Sequence, residues 1–190
     1  MKKKFIKYVY LLIVLSYRLL AQERYPDEKY GNTLNIGVGT GYNGYSMLAV
    51  NANYEFDVFK SFTLAPFISA YTFQNQVYWG DPTKPYWDPS YHYYYYHEMV
   101  VPVGVKGSYY FDRLLHANPR WDFYAAASIG FTYRSVVWEN GYNGDKSVYQ
   151  SVSLLYLAIH IGSEYHITPK TGLYLDLSSS ISTFGVAIHF

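Results

Sequence analysis

Apolar and polar residues alternate with a period of two along most of the chain after residue 30, and no helical period persists. In the last segment, for example, Phe184, Val186 and Ile188 alternate with Gly185 and Ala187. Such alternation is typical of β-strands that present different faces to different surroundings. It predicts eight strands, at residues 33–43, 46–56, 62–73, 99–111, 122–135, 152–166, 173–178 and 183–190.

The segments between these strands differ in length in a regular way. Residues 57–61, 112–120 and 168–172 are predicted turns at one end, and residues 74–97 and 137–150 are predicted loops at the other end. Two tight links, near Asn43–Gly44 and Ser179–Ser182, also belong to the loop side. Strands joined in this way pair antiparallel with their neighbours in sequence. The chain is therefore predicted to be all-β, an eight-stranded antiparallel up-and-down barrel.

The contents of the two faces favour a transmembrane barrel over a soluble one of the lipocalin type. The polar face carries many small residues, among them Gly37, Gly104 and Gly162, which suit the narrow interior of an eight-stranded barrel. The apolar face has almost no charge, which lipid tolerates and water does not. Short turns opposite longer outer loops are also what bacterial outer-membrane barrels have.

Two prolines interrupt the predicted strands. Pro66 and Pro102 each remove a ladder donor, and a closed barrel offers no edge strand for them, so we expect a β-bulge at each. Segment 62–73 has apolar groups on both faces, with Phe67 and Tyr71 opposed to Leu64, and its register is not fixed by the pattern.

The N-terminal segment predicts export. Four lysines precede the short apolar stretch 8–16, and Ala21 is a plausible cleavage position, so residues 1–21 are predicted to be a signal peptide and residues 22–190 the mature barrel. A membrane anchor is the alternative, but the apolar stretch is shorter than the ~20 residues that a spanning helix needs. Without its five basic residues the chain has ten basic and fourteen acidic residues, a net charge of −4, and no basic face for nucleic acid.

Composition adds two constraints. Aromatic residues make up 21% of the chain, including 25 tyrosines, and several lie near predicted strand ends, such as Trp121 at one end and Tyr133 and Trp138 at the other. Aromatic girdles at both interfaces are typical of membrane barrels. The chain has no cysteine, which excludes disulfides, thiolate metal sites and a lipid anchor on Cys.

The run VPVGVKGSYYFDRLL (101–115), followed by DFYAAASIGF (122–131), resembles the outer-membrane β-barrel family common in Bacteroidetes. That family belongs with the eight-stranded barrels of outer membrane proteins A and X. The resemblance implies a location as an integral protein of the bacterial outer membrane. The C-terminal Phe190 resembles the terminal signal that the barrel-assembly machinery recognises, which makes that machinery a partner during biogenesis.

Six polar residues are predicted to line the lumen: Glu55, Lys106, Arg134, His160, Glu164 and Asp176. By strand position, the three carboxylates and Lys106 fall in the periplasmic half, with His160 above them. They are interpreted as a plug of hydrogen bonds and ion pairs, as the resemblance to outer membrane protein A also implies. The alternative is a proton or ion path, which would make the protein a narrow porin. Eight strands rarely leave an aqueous channel.

Enzymatic and metal chemistry find little support in the sequence. His160, Ser163 and Glu164 lie near one another, but Ser163 faces lipid while the other two face inward, so they do not form a catalytic unit. The spacing of Asp88, His92, His97 and Glu98 matches no strong metal-ligand motif. The chain is therefore predicted not to be an enzyme and to need no cofactor or metal, although a lipid-modifying outer-membrane enzyme stays a third hypothesis.

The predicted loop 74–97 is the most distinctive segment. It carries two tryptophans, many tyrosines and three prolines, and its candidate binding residues are Trp79, Trp87, Tyr91 and Tyr95. Tyrosine and tryptophan offer a large contact area at low side-chain entropy cost. The loop predicts a structural or surface-interaction role, with a surface protein or a glycan as partner besides the outer-membrane lipid. Alternatively, Tyr93 to Tyr96 extend the strand hairpin and strengthen the outer aromatic girdle.

Overall fold

Eight β-strands follow one another along the chain, and each pairs antiparallel with the next. The computed structural model describes residues 30–41, 47–146 and 153–190, so the predicted signal peptide 1–21 lies outside the described residues. The strands are β1 Thr33–Gly41, β2 Met47–Phe59, β3 Phe62–Trp79, β4 His92–Tyr110, β5 Trp121–Trp138, β6 Leu155–Thr168, β7 Thr171–Ser178 and β8 Ile181–His189. Since β8 also pairs with β1, the sheet closes, and the predicted eight-stranded antiparallel barrel is confirmed.

The two ends of the barrel differ. At one end, called the turn end below, Thr33 pairs with His189, and the connections are residues 60–61, 111–120 and 169–170. The middle connection contains a one-turn helix, α1, at Asp112–Leu115. At the opposite loop end lie residues 80–91, 139–154 and 179–180. The predicted tight link near Asn43–Gly44 falls in 42–46, outside the described residues. No helix of the described residues is long and apolar enough to cross a membrane.

The outward face of the barrel is a continuous apolar belt. Large side chains that are about half exposed or more occur on strands all around it, including Val38, Leu48, Ile68, Ile129, Ile159 and Phe184. Most charged side chains of the described strands face the lumen instead. Asp57 is exposed, but it lies at the turn end, where it accepts hydrogen bonds from the backbone N–H groups of Tyr30 and Gly31. A belt of this extent is far larger than a soluble monomer exposes, and it is what a transmembrane barrel presents to lipid.

The strands β3, β4 and β5 are about twice as long as β1, β7 and β8. They contain 18, 19 and 18 residues, against 9, 8 and 9. The prediction of a loop at 74–97 is therefore wrong at both sides: Gln74 pairs with His97, and the ladder continues to Trp79 opposite His92. The connecting loop is only 80–91. Here tyrosines occupy both faces of β4, with Tyr94 and Tyr96 buried and Tyr93 and Tyr95 exposed, so the apolar–polar alternation that marks the other strands is lost from the sequence.

The expected β-bulges at the two prolines do not form. The β3–β4 pairing has the same register on both sides of Pro102, and Pro102 itself pairs with Thr132 on the other side. The β2–β3 pairing is likewise in one register on both sides of Pro66, which pairs with Val105 of β4. Each proline leaves a gap in one ladder only. The register shifts occur near the turn end, between Asp57 and Phe59 and between His166 and Thr168.

The register of β3, which the sequence left open, is settled by burial. Tyr71 and Phe73 are buried on the inward face, with Phe67 on the same side, while Ile68 is exposed on the outward face. The lumen is narrow because glycines allow close approach. Gly37 pairs with Gly185 across the β1–β8 closure, where an added Cβ at Gly185 would collide with the backbone of β1. Such contacts leave room inside the barrel for side chains alone.

Candidate functional site

A carboxylate is the centre of the polar network at mid-lumen. Asp176 on β7 accepts hydrogen bonds from Lys106 Nζ (3.3 Å) on β4 and from the Tyr124 hydroxyl (2.9 Å) on β5. The His160 Nδ1 atom lies 2.7 Å from the other carboxylate oxygen. The side chains of Lys106 and Asp176 are only 7% and 6% exposed. Three of the six predicted lumen residues thus form one buried, hydrogen-bonded group, which ties β4, β5, β6 and β7 together.

The same group contains a serine that sequence inspection missed. Ser128 Oγ lies 2.9 Å from His160 Nε2, so Ser128, His160 and Asp176 are connected like a nucleophile, a base and an orienting acid. They are spread over β5, β6 and β7, and only the shared inward face hinted at their proximity. The adjoining cavity measures about 20 Å³, enough for one water and too small for an acyl substrate. The arrangement therefore supports packing and not substrate turnover.

Glu55 belongs to a separate cluster nearer the turn end. Its carboxylate accepts hydrogen bonds from the Tyr110 hydroxyl (2.9 Å), from Asn35 Nδ2 (3.4 Å) and from the Thr63 hydroxyl. The Tyr110 ring stacks on Tyr30, with ring centroids 4.1 Å apart. This cluster closes the lumen beside α1 and gives Glu55 its own hydrogen-bond donors.

Glu164 is surrounded by histidines at the turn end. Its Oε1 atom lies 2.6 Å from His189 Nε2 and 3.8 Å from His166 Nδ1. The ligand atoms of these three residues all lie within 4.8 Å of one another. We call Glu164, His166 and His189 the turn-end histidine cluster. The sequence placed Glu164 in the lumen but did not single out the two histidines, because His189 on β8 and Glu164 on β6 are separated by the whole of β7.

The loop end of the lumen is closed by apolar and aromatic side chains. Above Asp176, a buried layer is formed by Ala49, Tyr71, Phe73, Val100 and Ile181. Arg134 lies apart from the other predicted lumen residues and pairs with the fully buried Glu98, with Nε 3.5 Å from Oε1. Among the described residues, the lumen is therefore filled by successive layers of side chains.

The outermost layer is an aromatic cluster that closes the loop end. Val77, Tyr94 and Tyr142 are buried there, with Trp79 and Trp138 packed against them. The rings of Trp138 and Tyr142 stack at a centroid distance of 4.2 Å. Trp138 thus packs into this cluster and does not join the outward girdle, contrary to expectation.

The loop 80–91 is held in shape by two aspartates. Asp81 accepts hydrogen bonds from the backbone N–H (2.9 Å) and the hydroxyl (2.7 Å) of Thr83, and Asp88 accepts one from the backbone of Ser90 (2.9 Å). Bonds from Thr83 to the ionised carboxylate lower the pKa of Asp81, and bonds from Ser90 lower the pKa of Asp88. The loop therefore carries two ionised carboxylates at neutral pH, and Lys84 Nζ lies 3.8 Å from that of Asp88.

Only one of the four candidate binding residues lies at the tip of this loop. Trp87 is 78% exposed, next to Tyr86, which is 72% exposed, and the two rings meet edge to face. Trp79 is on β3 and packs at 5.6 Å against Tyr142. Tyr91 ends the loop and packs against Tyr78, and Tyr95 is on β4 with an outward-facing ring. The structure thus divides the candidates between the tip and the hairpin beneath it.

Phe190 follows β8 directly at the turn end. Its backbone N–H donates to the Asn32 carbonyl (3.0 Å), and its 78%-exposed ring lies 6.5 Å from that of Tyr54. The ring is therefore accessible from outside the barrel.

Comparison with known proteins bears on the fold. No protein-family model and no curated protein matches the chain, so the narrower resemblance to the Bacteroidetes family stays a prediction. Among solved structures, Neisserial surface protein A (NspA) is similar at 12% identity, with a TM-score of 0.51, over 83% of this chain and 95% of that one. A designed transmembrane β-barrel is similar at 15% identity, with a TM-score of 0.46, over 85% of this chain and 98% of that one. The Yersinia pestis protein Ail, solved with a heparin analogue, is similar at 9% identity, with a TM-score of 0.42, over 83% of this chain and 95% of that one.

Likeness at this level of identity shows the fold alone. That fold is the eight-stranded barrel of proteins such as NspA. In this chain the first and last strands pair with each other and close the sheet.

Proposed function

We propose that this chain is an integral protein of the bacterial outer membrane, with a sealed lumen and a role in surface interaction through the tip of its longest hairpin. The observation that carries this proposal is the exposed Tyr86–Trp87 pair at the end of β3 and β4. Two large aromatic side chains exposed together in a loop favour a contact with another molecule, because rings of this kind dominate binding surfaces.

The hairpin reaches well beyond the membrane. A strand needs about 9–11 residues to cross a bilayer, whereas β3 and β4 have 18 and 19. The roughly eight extra residues at ~3.3 Å each extend the sheet by about 25 Å along the strand direction. Because the start of β1, the end of β8 and the short turns lie at the opposite end, the projecting hairpin is proposed to face the cell exterior, as the longer loops of outer-membrane barrels do.

The tip is suited to a hydroxyl-rich ligand. Tyr86 and Trp87 offer ring faces, and Asp81 and Asp88 flank them with carboxylates. Rings stack on the apolar faces of sugars while carboxylates accept hydrogen bonds from their hydroxyls. The three loop prolines restrict the backbone and reduce the entropy lost on binding. A glycan is therefore the favoured partner, and a surface protein is the second candidate.

Transport of solutes finds less support. Between the Asp176 network and the apolar layer above it, the lumen leaves a cavity of only about 20 Å³, which holds one water. A narrow porin needs a continuous path, and each polar layer here is bonded across the barrel. The polar residues of the lumen are proposed to stabilise the barrel.

Glycan arrays probed with the folded barrel test the tip. We expect Tyr86→Ala/Trp87→Ala to lose the glycan binding of the wild type while the heat-modifiable, folded form is unchanged. The matched control is Tyr133→Ala, which removes an equally exposed ring from β5 (69%). Wild-type binding by the double variant would refute the glycan role of the tip.

A photocrosslinker at position 87 in intact cells separates the two partner classes. Crosslinks to polysaccharide support the proposal, and crosslinks to one surface protein support the second candidate. Crosslinks to lipid alone would reduce the tip to a membrane anchor.

A further inference from the structure

The turn-end histidine cluster has the composition of a metal site. Two imidazoles and one carboxylate, with ligand atoms within 4.8 Å of one another, lie at the turn end of the barrel. The His166 and His189 side chains are 23% and 17% exposed, so an ion can reach them from solvent. We propose that Glu164, His166 and His189 bind a divalent transition-metal ion of the Zn²⁺ type, with a fourth position left for water.

The contacts behind the two imidazoles leave one ring nitrogen of each histidine facing Glu164. Asp122 Oδ2 lies 2.8 Å from His166 Nε2, and a proton on this nitrogen in the neutral ring leaves Nδ1, which faces Glu164, available as a ligand. A carboxylate behind a ligating histidine is the usual support of a zinc site, since it fixes the ring and raises its basicity.

His189 is oriented by β1 in the same manner. Its Nδ1 lies 2.9 Å from the Thr33 hydroxyl, and that hydroxyl is 3.1 Å from the Tyr30 carbonyl. When Thr33 donates its single proton to the carbonyl, it accepts one from His189 Nδ1. His189 Nε2 then faces Glu164 Oε1 at 2.6 Å. In that tautomer Nε2 is the ring nitrogen available to ligate a metal ion beside the Glu164 carboxylate.

The spacing of the ligand atoms fits a metal after small side-chain rotations. With bonds of 2.0–2.1 Å, two ligand atoms of a tetrahedral zinc site lie about 3.3 Å apart. The two distances from Glu164 Oε1, 2.6 Å and 3.8 Å, bracket that value. The Glu164 carboxylate rests on the backbone of Gly172, where an added Cβ would collide with it, so its position is held from below.

The location of the site gives it a structural consequence. Glu164 and His166 are on β6, His189 is on β8, and Thr33 is on β1. A bound ion would fasten the last strand to β6 across β7, beside the seam where β8 closes the barrel on β1. Binding to the folded state alone would then stabilise the closed barrel by mass action.

Titration calorimetry of the tag-free, folded barrel in detergent, with ZnCl₂ as the probe, tests the site. We expect one saturable site per chain, at least tenfold weaker binding in His166→Gln and in His189→Gln, and a roughly tenfold loss in Asp122→Asn. The control His97→Gln removes an exposed histidine of β4 and leaves binding unchanged. Absence of saturable binding by the wild type, or wild-type affinity in both ligand variants, overturns the proposal.

Cobalt spectroscopy of the wild type keeps the test decisive if a variant fails to fold. Co²⁺ held by two imidazoles and a carboxylate gives the intense visible bands of four- or five-coordinate cobalt, and these bands should vanish on addition of Zn²⁺. The weak spectrum of six-coordinate, hydrated cobalt would overturn the proposal.

Discussion

Replacing Lys106 by methionine should destabilise the barrel strongly, because it removes a buried ammonium group. Methionine keeps most of the side-chain volume, so the effect reports on the lost interaction and not on a cavity. Lys106 Nζ donates to Asp176 at 3.3 Å, with both side chains less than a tenth exposed, and lies 4.9 Å from the centre of the Tyr124 ring. Removal of one partner of a buried ion pair costs about 3–5 kcal/mol when the other charge is left alone.

Two further contacts of Asp176 lower the expected cost of removing Lys106. Asp176 keeps the Tyr124 hydroxyl at 2.9 Å and His160 at 2.7 Å, so its carboxylate stays solvated by two donors. A hydrogen bond to a charged group contributes about 1.5–3 kcal/mol. We therefore expect Lys106→Met to reduce the free energy of unfolding by about 2–3 kcal/mol.

Denaturant unfolding of the barrel in lipid vesicles, followed by tryptophan fluorescence, measures the effect. Lys146→Met, which removes an exposed lysine from the 139–154 connection, is the matched control and should unfold at the wild-type midpoint. In a double-mutant cycle with Asp176→Asn, we expect the two substitutions to be non-additive by about 1 kcal/mol or more. Additive effects, or a Lys106→Met midpoint equal to that of the wild type, would refute the assigned pairing.

Three further predictions address the sealed lumen, the triad-like group and assembly. In planar bilayers the folded protein should show no reproducible conductance, since the lumen cavity holds one water; regular openings would promote the porin hypothesis. Ser128 should resist a fluorophosphonate probe in the folded protein, because the same small cavity adjoins it; stoichiometric labelling that is lost in Ser128→Ala would indicate an accessible nucleophile. Phe190→Ala should permit export but reduce the amount of folded, heat-modifiable protein as much as deletion of Phe190 does. The alanine keeps the backbone hydrogen bond to Asn32, so normal folding of that variant would show that the ring is not needed for assembly.

The eight strands were predictable because the bilayer imposes a period of two. Where a strand has lipid on one side and the lumen on the other, as around Leu157 and Ile159 in β6, apolar and polar residues must alternate. The same reasoning explains the error at 74–97. There polar residues and tyrosines occupy both faces of the hairpin, and residues such as Gln74, Asn75 and Gln76 remain in the ladder without any pattern to mark them.

Which residues face inward was predictable, whereas their partners were not. Successive side chains of a strand point to opposite faces, so the alternating pattern alone placed Glu55, Lys106 and Asp176 in the lumen. Contacts depend on register and on neighbours across the barrel. Ser128 and His160 are 32 residues apart and meet at 2.9 Å, and Glu164 and His189 meet at 2.6 Å over 25 residues. The prolines show the same limit: each disturbs one ladder, and which ladder depends on the side of the strand that its nitrogen faces.

The charge content of the lumen links the mid-lumen network to the turn-end histidine cluster. Inward-facing strand side chains include five carboxylic acids, whereas Lys106 and Arg134 provide the permanent positive charges. Each of the three inward histidines, 160, 166 and 189, contacts one of these carboxylates. A buried carboxylate is costly without a hydrogen-bonded or charged partner, and these histidine nitrogens are such partners for Asp176, Asp122 and Glu164. Lys106→Met removes positive charge from the middle layer, and zinc adds it at the turn end. Opposite changes in barrel stability are therefore expected from these two perturbations, and loss of the zinc effect in His166→Gln would assign the second change to the turn-end histidine cluster.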